Sequence, residues 1–445
     1  MKKAAVQLIT LGCPKNRVDS EFLLRQIFAN GFEIVPEDAG FASSPAKTVI
    51  INTCGFIKDA KEESIETIFD VVASKRAGYT EKIYVFGCLS QRYGSELREL
   101  IPEVDRFFGV FDSKSLLREI GGEWDDRLDR SRLITTPGHY AYLKISEGCN
   151  QMCSYCAIPM IRGGHHSVPL ENLVVEAEML ASSGVKELIV VAQDTTYYGV
   201  DLYGERKIAN LLERLAMVEE IEWIRLLYSY PFAFPENLLG VLADNPKVCK
   251  YLDIPLQHIN DKVLANMRRS INGASTRRLV DRIRQRVPGI VLRTTMIVGH
   301  PGEDEQAFEE LLAFVEEAKF ERLGAFAYSE EEGTWGASNL SDSIPEEIKE
   351  ERLGRLMDLQ RGVSLNYNIS RTGSCDKVLI DSRSEDFLIG RSAKETPEVD
   401  GEILIDCRAG AKNIDFDRLV GTFVEVKVTG ADEYDLTGEI LRVEQ

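Results

Sequence analysis

Three cysteines near the middle of the chain have a spacing that suits an iron–sulfur cluster. Cys149, Cys153 and Cys156 form the pattern C-x-x-x-C-x-x-C directly after a predicted strand at residues 140–145. A 4Fe–4S cube has four irons, each of which takes one external ligand, so three thiolates leave one iron open. An open coordination position can bind a reacting small molecule. We therefore predict that these three cysteines hold a catalytic 4Fe–4S cluster.

A zinc site is the alternative for the same motif. Structural zinc takes four Cys or His ligands, and His165 and His166 are near enough in sequence to supply the fourth. The preceding strand and the aromatic Tyr155, which stands immediately before the last cysteine, favour the cluster instead. We expect His165 and His166 to lie in a solvated loop.

A second set of three cysteines lies near the N-terminus, and each of them follows a predicted strand and stands beside a glycine. The cysteines are Cys13, Cys54 and Cys88, and the glycines are Gly12, Gly55 and Gly87. The carboxyl ends of parallel strands share one crevice, so residues far apart in sequence converge there. Glycine lets the backbone turn tightly and approach a bulky ligand. We predict a second 4Fe–4S cluster here, although buried cysteines without a ligand are also common in strands.

Alternating strands and helices are needed to bring these cysteines together. Residues 1–135 alternate apolar runs with helical patterns, which predicts an N-terminal parallel-sheet α/β domain. Residues 136–370 continue with six βα units, which predicts a partial (βα)6 barrel rather than a closed barrel of eight. Residues 371–445 change to short alternating segments, which predicts a small antiparallel β-barrel. A charged stretch at 121–132 is expected to be a linker or a surface excursion.

The predicted strands can be compared directly with the structure. In the N-terminal domain they are residues 4–11, 48–52 and 82–86. In the central domain they are residues 140–145, 187–191, 223–227, 251–254, 291–297 and 322–326. In the C-terminal domain they are residues 377–381, 387–392, 401–406, 422–429 and 436–442.

The composition limits the possible partners and compartment. The formal net charge of −19 disfavours nucleic-acid binding through contacts to the phosphate backbone. No apolar run reaches the length of about 18 residues that a membrane span needs. Of the nine cysteines, Cys249, Cys375 and Cys407 fit neither set, and the others do not form a disulfide pattern. Thiolates kept for metal imply a reducing compartment, which we expect to be the cytoplasm.

Several motifs give the chain a resemblance to a known family over its whole length. Residues 11–16 read Leu-Gly-Cys-Pro-Lys-Asn, residues 51–56 read Ile-Asn-Thr-Cys-Gly-Phe, and residues 191–196 read Val-Ala-Gln-Asp-Thr-Thr. Residues 390–392 and 397–401 read Gly-Arg-Ser and Pro-Glu-Val-Asp-Gly. Together with the two cysteine sets, these motifs resemble the radical S-adenosylmethionine (SAM) methylthiotransferases. Within them the chain is similar to the ribosomal-protein branch (the RimO type).

The resemblance implies a fold, cofactors and a reaction. The C-terminal domain would be a TRAM domain. The cluster on Cys149, Cys153 and Cys156 would cleave SAM to give a radical, and the cluster on Cys13, Cys54 and Cys88 would hold an extra sulfur, methylated by a second SAM. The substrate would be the β-carbon of an aspartate in ribosomal small-subunit protein twelve. Such a reaction also needs an electron donor and a sulfur donor.

The resemblance also implies contacts to SAM. Gln193 and Asp194 follow the strand at 187–191 and by position face the barrel mouth, where active sites gather. Gly299 lies in a glycine turn that in this superfamily is near the adenosine of SAM. We therefore expect Tyr155, Gln193, Asp194 and Gly299 to lie in the SAM region.

Two other functions stay open at this stage. A tRNA adenosine methylthiotransferase (the MiaB type) is the first, but that branch usually has Gln-Met-Asn where this chain has Pro14, Lys15 and Asn16. The C-terminal residues 376–445 carry 17 acidic and nine basic residues, which suits a basic protein partner better than RNA and makes nucleic-acid contact at most secondary. The second is an iron–sulfur electron-transfer protein without radical chemistry.

Overall fold

The N-terminal part of the chain forms a five-stranded parallel sheet. A computed structural model describes residues 4–407 and 415–443. The strand order is β2-β1-β3-β4-β5, and every pairing in the sheet is parallel. The strands are β1 (Ala5–Thr10), β2 (Glu33–Val35), β3 (Thr48–Thr53), β4 (Lys82–Gly87) and β5 (Arg106–Phe107). The three strands predicted from apolar runs are confirmed, whereas β2 and β5 were missed because two or three residues carry no periodic signal.

Four helices accompany this sheet. They are α1 (Pro14–Ala29), α2 (Lys58–Arg76), α3 (Cys88–Leu100) and α4 (Ser113–Glu119). The central strand β3 is buried along almost its whole length, as expected for a parallel strand covered on both faces. The N-terminal cysteines lie where β1, β3 and β4 end, so the fold places them along one edge of the sheet.

A second parallel sheet of six strands forms the central part of the chain. Its order is β13-β12-β11-β10-β9-β6, and within the described residues the edge strands β6 and β13 do not pair with each other. The strands are β6 (Tyr140–Lys144), β9 (Glu187–Val191), β10 (Trp223–Leu226), β11 (Val248–Asp253), β12 (Val291–Val298) and β13 (Arg322–Ala327). A two-stranded antiparallel sheet lies between β6 and β9 in the sequence and consists of β7 (Ser146–Glu147) and β8 (His166–Ser167). The predicted partial barrel of six strands is confirmed.

Helices of very different lengths connect these strands. They are α5 (Ile158–Arg162), α6 (Leu170–Ser182), α7 (Val200–Tyr203), α8 (Ile208–Leu215), α9 (Glu236–Asp244), α10 (Asp261–Asn266), α11 (Gly273–Arg286), α12 (Glu305–Ala318), α13 (Trp335–Asn339) and α14 (Glu346–Ser370). Among the described residues, no helix combines the length and the apolar character that crossing a bilayer requires.

The C-terminal part forms a small closed barrel of five strands. They are β14 (Cys375–Arg383), β15 (Phe387–Ser392), β16 (Ile403–Asp406), β17 (Phe423–Ala431) and β18 (Leu436–Val443), in the order β14-β15-β16-β18-β17. The predicted small barrel is confirmed, with one difference. The pair of β16 and β18 is parallel, because β17, the strand that follows β16 in sequence, pairs with β14 and β18 instead of with β16. The other pairs are antiparallel.

The C-terminal barrel packs against the inner face of the central sheet. Trp223 of β10 meets Phe423 of β17 edge-on, with 4.8 Å between the ring centroids. Tyr251 of β11 donates a hydrogen bond to Asp400, with an oxygen–oxygen distance of 2.7 Å. These aromatic side chains belong to one buried cluster that joins the two parts of the chain.

Buried ion pairs complete this interface. Glu395 accepts from Arg322 of the central sheet at 3.1 Å and also pairs with Arg371, and all three side chains are buried. Arg225 and Arg391 both pair with Glu187, at 2.8 and 2.9 Å. These ion pairs are buried, so water cannot replace a partner that is lost.

The charged stretch at 121–132 is mostly exposed or half-buried, as expected of a linker or a surface excursion, but its last side chain is buried. The Arg132 side chain pairs with Glu21 of α1 at 2.8 Å and with Glu176 of α6 at 3.0 Å. This arginine therefore joins the N-terminal and central parts of the molecule.

Candidate active site

One cavity of about 370 Å³ contains both cysteine sets on its wall. It is lined by all six predicted cluster ligands, three from the edge of the N-terminal sheet and three from the central motif. The convergence expected from the strand ends is present in the structure. A volume in this range is typical of small-molecule sites.

Close backbone approach positions the N-terminal cysteines. Cys13 is the N-cap residue of α1, and Cys88 is the first residue of α3. Gly12 has a φ of +84°, and a Cβ on it would lie 2.7 Å from the Cβ and 3.0 Å from the Sγ of Cys54. Gly87 has a φ of +105° and packs equally closely on the end of β3. Gly12 is therefore required by its approach to Cys54 as well as by the turn, and Gly87 by its approach to Asn52 and Thr53.

We expect Gly12→Ala to lower the bound iron by about half, because a methyl group there displaces the Cys54 sulfur from a three-thiolate site. Gly31→Ala is the matched control. Gly31 has a similar φ of +82° but no atom within 4 Å of the position of its added Cβ. Anaerobic iron and sulfide analysis of both variants measures the effect, and equal iron in both would contradict a role for the Gly12 contact.

The central cysteines lie in the loop between β7 and α5. Gly148, just before Cys149, has a φ of +69°, and a Cβ on it would lie 2.1 Å from the carbonyl oxygen of Gly164. The Cys149 amide donates to the Gly163 carbonyl at 3.1 Å, which closes the loop around the motif. Arg269 donates to the sulfur of Cys153 at 3.8 Å and thus places a buried positive charge beside these thiols.

Burial controls the protonation of the free thiols. It raises the pKa of Cys54 and of Cys149 to about 12 in each case. Burial also raises the pKa of Cys88 and of Cys156. In the absence of a bound group these sulfurs are therefore held as thiols, and cluster binding must release their protons.

The donor sets fit two clusters better than single metal ions. Within residues 4–407 and 415–443, no group of three His, Cys, Asp or Glu side chains is close enough to enclose one metal ion. A 4Fe–4S cube binds each thiolate through a different iron, so it accepts sulfurs that are further apart. All nine cysteines are free thiols, so none of the six is diverted into a disulfide. The zinc alternative gains no support from this geometry.

Polar groups in the cavity wall suit a polar ligand beside the central cysteines. Gln193 and Gln257 line the cavity, and in both the side-chain oxygen is buried without a hydrogen-bond partner among the described residues. Buried acceptors of this kind normally have a partner. Tyr155 also lines the cavity. Two of the predicted SAM contacts, Tyr155 and Gln193, therefore lie on the wall itself.

The other two predicted SAM contacts lie behind the wall. Asp194 is buried and accepts from the side chain of Gln151, which does line the cavity, at 3.1 Å. Gly299 is not among the cavity-lining residues, and its amide donates to Glu303 at 3.0 Å. Its contact with SAM stays a prediction.

The expectation of a solvated loop is wrong for one of the paired histidines. His165 is buried, contacts Ser167 at 3.0 Å and packs edge-on against Tyr197. Burial lowers the pKa of His165. His166 is exposed, as expected. His165 immediately precedes β8 and His166 is its first residue, so their adjacency in sequence did not indicate that only one of them is buried.

Arg162 is a buried residue of the cavity wall to which the sequence interpretation gave no role. Its guanidinium pairs with Asp19 of α1 at 3.0 Å and with Glu147 of β7 at 2.8 Å. It also donates to Asn16 at 2.6 Å, and Asn16 in turn accepts from the Cys88 thiol at 3.7 Å. Arg162 thus couples the two cysteine sets, through pairings too distant in sequence for any motif to indicate them.

Comparison with known families defines the class of protein. Residues 143–315 match the Radical SAM superfamily, residues 5–109 match the Uncharacterized protein family UPF0004, and residues 372–441 match the TRAM domain. The radical SAM methyltransferase TsrM from Kitasatospora setae has a similar fold, with a TM-score of 0.53 and 15% identity over 73% of this chain and 75% of that chain. The fold and the site therefore define a radical SAM enzyme.

Curated relatives then identify the family. Proteins named "Ribosomal protein uS12 methylthiotransferase RimO" from Bacteroides fragilis and Porphyromonas gingivalis are each 48% identical over 441 residues, which is 99% of this chain and 100% of theirs. The relative of the same name from Christiangramia forsetii is 47% identical over 100% of this chain and 96% of its own length. The chain belongs to this family of radical SAM methylthiotransferases, whose cofactors are SAM and 4Fe–4S clusters.

Proposed function

We propose that this protein transfers a methylthio group to the β-carbon of an aspartate in the ribosomal small-subunit protein uS12. The observation that carries the proposal is the single cavity lined by two sets of three cysteines. When bound, SAM and the two clusters supply radical removal of hydrogen and a sulfur atom for transfer. The chain itself contributes proximity, because it holds both cysteine sets against one space.

The site residues are proposed on the same grounds. Cys149, Cys153 and Cys156 hold the cluster that cleaves SAM. The second cluster is held by Cys13, Cys54 and Cys88. Tyr155, Gln193, Asp194 and Gly299 form the surroundings of SAM, with the first two on the cavity wall and Asp194 acting through Gln151.

The charge of the chain supports the proposed partners, and the fold supports the proposed domain limits. An acidic chain suits a basic ribosomal protein, and nucleic-acid contact is at most secondary. An electron donor and a sulfur donor are also required. We assign residues 1–135, 136–370 and 371–445 to the cluster-binding, radical SAM and TRAM-like domains. The nine free thiols support a cytoplasmic location, since oxidising compartments favour disulfides.

The proposed function is tested with anaerobically reconstituted protein, SAM, a strong reductant and sulfide. We expect a methylthio group on purified uS12, seen by mass spectrometry, and 5′-deoxyadenosine in the same reaction. Bulk tRNA in place of uS12 is the control and should stay unmodified. Methylthio transfer to tRNA adenosine but not to uS12 would overturn the proposal in favour of the tRNA branch. Absence of 5′-deoxyadenosine would overturn radical chemistry altogether.

A further inference from the structure

A buried lysine lies on the cavity wall beside the N-terminal cysteine set. Lys15 lies at the start of α1, two residues after Cys13, and is only 8% exposed. Its ammonium nitrogen lies 3.5 Å from the centroid of the Tyr228 ring, which belongs to the central part of the chain. Both side chains line the cavity. Lys15 thus reaches from the N-terminal sheet to the opposite wall.

The residue that holds this lysine has a strained backbone. Tyr228 has a φ of +59°, which is unusual for a bulky residue. Its amide donates to Asp253 at 3.0 Å and its carbonyl accepts from the Thr195 amide at 3.0 Å. Strained conformations of this kind occur where a site needs a side chain in one place. Here the strain sets the aromatic ring under the ammonium group.

The charge of Lys15 has no carboxylate partner. The neighbouring buried cations Lys144 and Arg162 share the carboxylates of Asp19 and Glu147. Lys15, by contrast, forms no ion pair with any acidic side chain in residues 4–407 and 415–443. A buried charge without a counter-charge is costly, so an anion from outside the chain is expected beside it.

We propose that Lys15 binds the side-chain carboxylate of the substrate aspartate and thereby selects an acidic side chain over a nucleobase. This inference rests on the proposed function. A neutral adenine would leave the ammonium charge uncompensated, whereas a carboxylate would neutralise it with a charge-assisted hydrogen bond. Contact with Tyr228 fixes the ammonium in place, so less freedom is lost when the carboxylate binds.

The test compares two peptides on the holoenzyme. One spans the modified loop of uS12 with its target aspartate, and the other carries asparagine at that position. We expect the wild type to bind the aspartate peptide about 10- to 100-fold more tightly, as is typical of a charged hydrogen bond. Lys15→Gln should remove this preference by weakening only the aspartate peptide, and Lys15→Arg should restore part of it. Lys58→Gln, at a lysine whose side chain is 68% exposed, is the control and should bind as the wild type does.

Iron content separates this role from support of the clusters. Lys15→Gln should bind as much iron as the wild type. Loss of iron with an unchanged ratio of peptide affinities would show that Lys15 serves the N-terminal cluster, and would overturn the inference. Equal affinity of the wild type for the two peptides would overturn the inference alone. Failure of the wild type to bind either peptide would overturn the proposed function, and the inference with it.

Discussion

A variant in which Cys149, Cys153 and Cys156 are all replaced by alanine is expected to lose SAM cleavage completely and to keep about half of its iron. The physical reason is that the other three thiolates are supplied by the ends of β1, β3 and β4 and not by the central loop. Iron counting should give roughly eight irons for the wild type and roughly four for the variant, as two 4Fe–4S clusters require. The same samples are assayed for 5′-deoxyadenosine.

The matched control replaces Cys13, Cys54 and Cys88 by alanine. This variant should also keep about half of its iron, but it should still cleave SAM while failing to transfer a methylthio group. A wild type that holds only one cluster would contradict the assignment of the N-terminal set. Loss of all iron in both variants would show instead that the two sites depend on each other, for example through Arg162.

The second large effect is expected at the interface between the central sheet and the C-terminal barrel. Glu395→Gln leaves Arg322 and Arg371 buried without their shared carboxylate. Breaking a buried pair by removing one partner typically costs about 3–5 kcal/mol. We therefore expect the midpoint of urea unfolding to fall markedly, as followed by tryptophan fluorescence, to which Trp223 of the same interface contributes.

A surface glutamate of the same barrel provides the control. Glu425 is 40% exposed and its nitrogen–oxygen distance to Arg442 is 3.7 Å, so Glu425→Gln should change the free energy of unfolding by less than about 1 kcal/mol.

Burial acts to raise the pKa of Glu395, but Arg371 and Arg322 lower it to about 2. Its stabilisation is therefore fully present above the unfolded value near 4.3 and is lost as the pH falls towards 2. Equal unfolding midpoints for the two variants at neutral pH would contradict this account.

The sequence was sufficient to predict that the six cysteines lie around one cavity, because local patterns determine the position of each of them. Cys54 and Cys88 follow long apolar strands, and the strand ends of a parallel sheet lie along one edge whatever the rest of the chain does. The three central cysteines can be recognised from the C-x-x-x-C-x-x-C spacing alone. Local patterns also predicted the major strands, apart from short ones such as β2 and β5.

Groups that act through distant partners could not be predicted. Arg162 and Arg132 gain their roles from carboxylates on other elements, more than 20 residues away in several cases. His165 could not be distinguished from His166, since only the packing of His165 against Tyr197 shows which of the two is buried. Lys15 was noted as part of a motif, but its lack of a carboxylate partner becomes visible only when the whole cavity is assembled.

The position of Glu395 and Asp400 on the inner face of the central sheet has a consequence for biosynthesis. Residues 393–400 cover Arg225, Tyr251 and Arg322, which lie in strands translated more than 70 residues earlier. During translation the inner face of the central sheet therefore stays uncovered until residues 393–400 have been made and have docked on it.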